Sequence, residues 1–235
     1  VSRNQIGAVV GTQPFGGEGL SGTGPKAGGP EYIKRFLRSA IICDEQIRQG
    51  NVKTFQIQPL IDSLKRYRGI GFEKQSKQLI QFLSESDDYN PHNQEVKRLE
   101  LPGPTGEKNQ LSKHPRGVLL CLGPSQKSAL KQAFNALASG NAVVIVCIDA
   151  DHVRQQLEPL KVPFGCIEGN LDPDCLTELQ GIDGILSYAD PSVLSKIRIA
   201  LAERNGAILP LINEANSSRL SNERHVCVDT TAAGG

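Results

Sequence analysis

The chain is expected to fold as an α/β protein built on a Rossmann-like open parallel sheet, with a helical segment before the sheet and a β-flap-type strand after it. Three observations predict this. From Arg116 onward, short apolar runs alternate with segments of helical periodicity. The runs GVLLCLG (117–123) and AVVIVCI (142–148) are apolar almost throughout, as strands buried on both faces must be. Their β-α-β-α-β order requires crossovers that return each strand parallel to the last.

In chain order, residues 1–29 hold a dense glycine segment, GAVVGTQPFGGEGLSGTGPKAGG, which predicts irregular backbone with tight turns. Pro30 suits the first position of a helix, because a missing N–H costs nothing there. Ile33, Phe36, Leu37, Ala40 and Ile41 continue that helix to about residue 49. A second helix carries Leu60, Ile61, Leu64 and Tyr67, and a third Leu79, Ile80, Phe82 and Leu83. Residues 84–116 are polar and rich in Pro, Gly and Asn, and read as a long connection. After strand 117–123 come a helix over 125–139, strand 142–148, a weak helix over 151–158 and the strand CIEG. A helix over 173–180, the strand IDGILSY (182–188), a helix from Pro191 to Arg204 and the strand AILPLI (207–212) complete the series. HVCVDTT reads as a separate, late strand.

The 235 residues suffice for one large domain or two small ones. With 26 basic and 25 acidic residues the net charge of +1 gives no electrostatic case for nucleic acid or an anionic surface. No apolar run has the length of a membrane span, and no secretory h-region is present. The sequence begins at Val1, holds no methionine and stops at Gly234-Gly235, so it is expected to be a piece of a larger enzyme without a complete catalytic site. Six cysteines are scattered singly, which predicts reduced thiols in a cytoplasmic protein and neither a metal site nor a disulfide framework.

Several motifs invite a chemical reading. Gly17-Glu18-Gly19-Leu20-Ser21-Gly22 matches GxGxxG, but Pro25 prevents a helix from opening at its last glycine, so it reads as a decoy. Lys26 lacks the GK[ST] order of a Walker A lysine. The first strand-to-helix turn, Leu122-Gly123-Pro124-Ser125, makes a poor phosphate cradle. Asp149 could hold a ribose, although Asp149 or Asp151 also suits a helix cap. Glu214, after an apolar strand, could serve as a general base or be a solvated loop residue.

The strings NQIGAVVG (4–11), QPFGG (13–17) and SGTG (21–24) resemble the end of an aldehyde dehydrogenase catalytic domain. GEGLSGTGPKAGGP followed by EYIKRF, together with the closing VDTTAAGG (228–235), is similar to the proline utilization A (PutA) family. HPRGVLLCLGP, NALASGNAVVIV, VPFGCIEG and PLINEA resemble successive segments of the aldehyde dehydrogenase cofactor domain. That resemblance implies four regions. Residues 1–36 would end a dehydrogenase catalytic domain, 37–100 form a helical connector, 101–222 a non-catalytic Rossmann-like domain, and 223–235 a strand and tail motif.

The resemblance implies a parent that oxidises proline with FAD and glutamate semialdehyde with NAD, the dehydrogenase domain of the same polypeptide being this segment's partner. It also implies a homo-oligomeric parent and peripheral association of that parent with a membrane. Gly7 and Ala8 match the loop whose N–H groups anchor the substrate carboxylate, and Phe15 would wall that site. Against the family's pattern, Val146 stands for the ribose-binding lysine, Ser125-Gln126 for the Trp-Asn pair and Ser187-Tyr188-Ala189-Asp190 for the FTGS turn. Glu214 aligns with the general base, but no cysteine loop is present. These departures predict no catalytic residue, no metal and no bound NAD or FAD in this segment. An assembly module without a role in channelling, or a domain for another nucleotide with Asp149 on its ribose, are the alternatives.

Overall fold

The computed structural model describes residues 8–36, 50–68, 79, 98–214 and 218–230. The regular elements are α1 (Thr54–Leu64), β1 (Arg98–Leu101), β2 (Glu107–Pro115), β3 (Val118–Leu122), α2 (Gln126–Ala138), β4 (Ala142–Cys147), α3 (Ala150–Leu157), β5 (Phe164–Glu168), β6 (Gly184–Ser187), α4 (Pro191–Ala202), β7 (Leu211–Ile212) and β8 (Ser221–Asp229). Five strands form a parallel sheet in the order β5-β4-β3-β6-β7. The chain winds outward from β3 to β5, then crosses back to place β6 on the other side of β3.

Apolar residues of both parities explain why this sheet is buried on two faces. Val118, Leu120, Leu122, Val144 and Val146 point to one side, where α1 packs Ile57, Ile61 and Leu64, and α4 packs Leu194 and Ile197. Leu119, Cys121, Val143, Ile145 and Cys147 point to the other, against α2 and α3. Alanines 129, 133 and 136 let α2 lie close to the strands. At the sheet's N-terminal edge, Asp183 accepts the Val118 N–H at 2.9 Å and receives both guanidinium arms of Arg68, with Nε to Oδ2 at 2.8 Å. This fork ties the end of α1 to β3 and β6. Gly117 passes so close that a Cβ there would lie 2.2 Å from Asp183 Oδ2.

A second, antiparallel sheet has the order β1-β2-β8. β2 and β8 pair over nine residues, from Glu107 opposite Asp229 to Pro115 opposite Ser221. Paired residues share a face. One face therefore carries Asn109, Leu111, Lys113, Glu223, His225 and Cys227, and the other Lys108, Gln110, Ser112, Arg224, Val226 and Val228. The glycine-rich segment covers the first face.

The structure corrects several boundaries. The stretch read as a connection, 84–116, contains β1 and β2; RLEL and EKNQLSKHP are too polar to announce a sheet, because one face is only half covered. The helix expected over 173–180 is a 3-10 turn, Pro173–Thr177, and the strand expected over 207–212 is ordered as strand only at Leu211–Ile212. Tyr32–Phe36 is a 3-10 turn, and the rest of the helix expected to residue 49 lies outside the described residues. So does the third helix apart from Leu79, which is helical and buried. The late strand begins earlier than expected, at Ser221.

Gly123 sits where β3 turns into α2, and a Cβ there would lie 2.4 Å from Ala129 N and 2.6 Å from its Cα. Both contacts are backbone and cannot swing away. Gly123→Ala is expected to destabilise the fold by about 1–3 kcal/mol, the usual range for overpacking, read as a lower urea midpoint with unchanged m-value.

Candidate functional site

In an open parallel sheet the ligand crevice lies beyond the strands' carboxyl ends, where the winding reverses. Here that point is between β3 and β6. Beside it, over the ends of β3 and β4 and the start of α4, lies a small depression with room for about one water molecule, about 10 Å³, lined by Leu122, Gly123, Val146, Leu171 and Val193 among others. Three helices begin along this edge, and each N-terminus is a place where free N–H groups could receive a phosphate.

All three are occupied by the chain's own side chains. Ser125 caps α2, its Oγ accepting the Ser128 N–H at 3.2 Å. Glu168, at the end of β5, accepts the N–H groups of Asp149 at 2.9 Å and Ala150 at 2.6 Å, closing the start of α3. Asp190 Oδ1 accepts the N–H groups of Ser192 at 2.8 Å and Val193 at 3.2 Å at the start of α4. The Ser192 hydroxyl, and then those backbone donors, hold the Asp190 carboxyl below its ordinary range. Glu168 and Asp190 place carboxylates where phosphates would sit, and Val146, 2% exposed, offers no donor to a hydroxyl. These residues do not fit the pyrophosphate and ribose of a dinucleotide.

The sequence-predicted residues fall as follows. Asp149 takes the N-cap position of α3 with φ of 61°, but its side chain makes no capping bond; Glu168 caps in its place. Asp151 pairs with Arg154. Glu214 lies past β7, 3.6 Å from Arg219 Nη1, with its side chain 19% exposed. Tyr188 is buried, and burial pushes its hydroxyl pKa up. Cys121 and Cys147 are buried free thiols. Burial raises Cys121; the thiol contact with Cys166, and then burial, raises Cys147. Among the described residues no group of three His, Cys, Asp or Glu side chains could hold a metal ion.

Gly7 lies outside the described residues. Ala8 is exposed, and the carbonyl of Val9 accepts the N–H groups of Thr12 at 3.2 Å and Gln13 at 2.7 Å, forming a turn. Phe15 pairs through its backbone with Ala27 at 3.0 and 2.7 Å, while its ring stands 70% exposed. The GxGxxG string makes a tight turn closed by a Glu18–Thr23 bridge, with no helix after it.

Sequence reasoning missed what holds this segment. Lys26 N–H donates to Glu223 Oε2 at 2.7 Å, and Gln13 Nε2 to Glu107 Oε1 at 2.9 Å. Arg116 Nη2 reaches Thr23 O at 2.7 Å, and Lys113 Nζ pairs with Glu31 at 2.9 Å. Burial lowers the Arg116 pKa to about 10 and raises the Glu223 carboxyl. The partners lie up to 197 residues apart, and no local pattern encodes them.

The parallel sheet, its strand order and its flanking helices define a Rossmann-like α/β unit of the aldehyde dehydrogenase type. An indole-3-acetaldehyde dehydrogenase structure superposes with a TM-score of 0.54 at 12% identity, covering 85% of this chain and 59% of that one. A Bradyrhizobium japonicum proline utilization A structure gives 0.53 at 19% identity over 69% of this chain and 22% of that one. In sequence, the chain is 36% identical over its whole length to the bifunctional protein PutA of Klebsiella aerogenes, and 31% identical to that of Rhizobium meliloti. It is thus a full-length relative of a part of the PutA proteins, spanning 18% and 19% of those two. A 43-residue stretch is 46% identical to a 1-pyrroline-5-carboxylate dehydrogenase of Oceanobacillus iheyensis, covering 18% of this chain and 8% of that protein. No family model matches the chain.

His225, on the covered face, and His114, on the open one, both have lowered pKa values, chiefly from burial, with Lys26 and Arg224 respectively adding to it. Each depressed value means that the unfolded chain binds more protons below about pH 6.5. Stability from these groups is therefore present above that pH and lost as the pH falls through their folded values. Thermal unfolding from pH 7.5 to 5.5 should show a falling Tm, and His114→Gln/His225→Gln should flatten the decline.

Proposed function

We propose that this chain is a non-catalytic part of a bifunctional enzyme that oxidises proline to glutamate. In that reading an FAD-dependent step removes two electrons from proline, the product is hydrolysed to glutamate semialdehyde, and an NAD-dependent dehydrogenase oxidises the aldehyde. Residues 1–36 complete the dehydrogenase, with the N–H groups of Gly7 and Ala8 anchoring the substrate carboxylate and Phe15 lining the site. Residues 37–100 connect, 101–222 form the Rossmann-like domain, and 223–235 add the strand and tail. The Rossmann-like domain packs on the dehydrogenase domain and helps enclose the route of the intermediate. The parent works in the cytoplasm as a homo-oligomer, and its NAD and FAD are held elsewhere.

The observation that carries the non-catalytic reading is the set of self-capped helix N-termini at Ser125, Glu168 and Asp190. A nucleotide would have to displace two carboxylates before its own phosphates could be received. The second reading, an assembly module, is favoured by Val226 and Val228, 53% and 50% exposed on the open face of β8.

Calorimetry of this chain with NAD should give no binding heat to millimolar ligand; stoichiometric binding at micromolar affinity would contradict the reading. Removing residues 101–235 from the full-length enzyme separates the two roles. A lag in NADH formation from proline, with assembly unchanged, is the expected result. Unaltered coupled kinetics with a changed oligomeric mass would favour assembly.

A further inference from the structure

Ala8 is followed at once by a residue whose N–H has a defined partner. Val9 N–H donates to Gln13 Oε1 at 3.2 Å, and Val9 O accepts the Gln13 N–H at 2.7 Å. The other end of the same amide, Gln13 Nε2, donates to Glu107 Oε1 at 2.9 Å. Glu107 is fixed in turn by Asn109 Nδ2 at 2.6 Å, and Asn109 is 1% exposed within β2. A buried strand residue is therefore linked, through one carboxylate and one amide, to the backbone beside Ala8.

A second tie runs in parallel. Glu223 of β8, 5% exposed, accepts the Lys26 N–H at 2.7 Å. The next residue, Ala27, exchanges two hydrogen bonds with Phe15, and Gly28 O accepts the Gly11 N–H at 3.0 Å. Both strands of the glycine-rich turn are thus fastened to one sheet face, at positions 107 and 223.

We infer that Glu107 and Glu223, acting through Gln13 and the Lys26 backbone, are positioning residues for the carboxylate-anchoring loop. The inference rests on the anchor reading of Gly7 and Ala8. An exposed loop that must be ordered by its ligand gives up part of its binding free energy to chain entropy, on the order of one residue's worth for each residue fixed. A loop whose Val9 end is already tied through Gln13 to the C-terminal sheet avoids part of that loss. The sheet then sets affinity for aldehydes that carry a carboxylate, and leaves simple aldehydes unaffected.

The test uses the full-length enzyme. Glu107→Ala and Gln13→Ala should each raise KM for glutamate semialdehyde about tenfold, the effect of losing roughly one ordered residue, with kcat held within about twofold. KM for propanal, which has no carboxylate, should not move. Glu107→Gln keeps an accepting oxygen and should restore the normal KM. In the same proteins, hydrogen exchange at the Val9 amide should accelerate in the alanine variants and return in Glu107→Gln. Unchanged Val9 exchange in both alanine variants would overturn the inference. So would accelerated exchange with an unchanged KM, where Ala8→Pro alone raises KM. If neither Glu107→Ala nor Ala8→Pro moves KM although Val9 exchanges faster, the anchor reading itself fails, and the inference falls with it.

Discussion

Nine residue pairs between β2 and β8 join the end of the described chain to its middle. Closing a loop of more than a hundred residues costs entropy, yet that cost grows only slowly with length, and a continuous ladder can offset it. The pairing creates a surface that no local segment could supply. Glu223, His225 and Cys227 come from one strand, Asn109, Leu111 and Lys113 from the other, and together they receive the glycine-rich segment. Without β8 that segment would lose the Glu223 carboxylate on the Lys26 N–H and the Cys227 thiol beside Gln13, while ties to Glu107, Arg116, Lys113 and the Ile208 backbone would remain.

The parallel sheet contributes in another way. Its architecture is Rossmann-like, and at its carboxyl edge three helix starts are capped by side chains of the chain itself. Ser125, Glu168 and Asp190 each accept N–H groups at a helix start, donors of the kind that can receive a phosphate. The Ser125 cap stabilises α2 by roughly 0.5–2 kcal/mol. Fold alone does not decide function: the winding, the crossovers and the two-sided core are those of a Rossmann-like unit, and the caps show where some of its helix-start donors are directed.

Much of this was legible in the sequence. Val118–Leu122 and Ala142–Cys147 are apolar at every position, so their burial on both faces could be read directly. The amphipathic helix around Ile57, Ile61 and Leu64 was equally plain in its second half, and its role as a cover for the sheet followed from packing. The β1–β2 hairpin was not legible. β1 alternates exposed and half-buried residues, β2 buries only Asn109 and Leu111, and Asn109 and Glu223 lie under a segment distant in sequence. At the site, the departures from the aldehyde dehydrogenase pattern at Val146 and Ser187–Asp190 could be read, but the capping of α3 by Glu168 could not. Glu168 caps α3 from 18 residues away, so Asp149 was the natural but mistaken candidate. Gln13 and Glu107 gave no signal, since their bond spans 94 residues.

Pairing of β8 with β2 holds the glycine-rich segment in place, while the parallel sheet stands without it. Hydrogen exchange on the chain lacking residues 221–235 tests this most directly. Amides of Gly11, Phe15, Lys26 and Ala27 should lose protection, while those of β3, β4 and β6 keep theirs. Retained protection at Lys26 and Ala27, or loss of protection throughout β3 and β4, would contradict it.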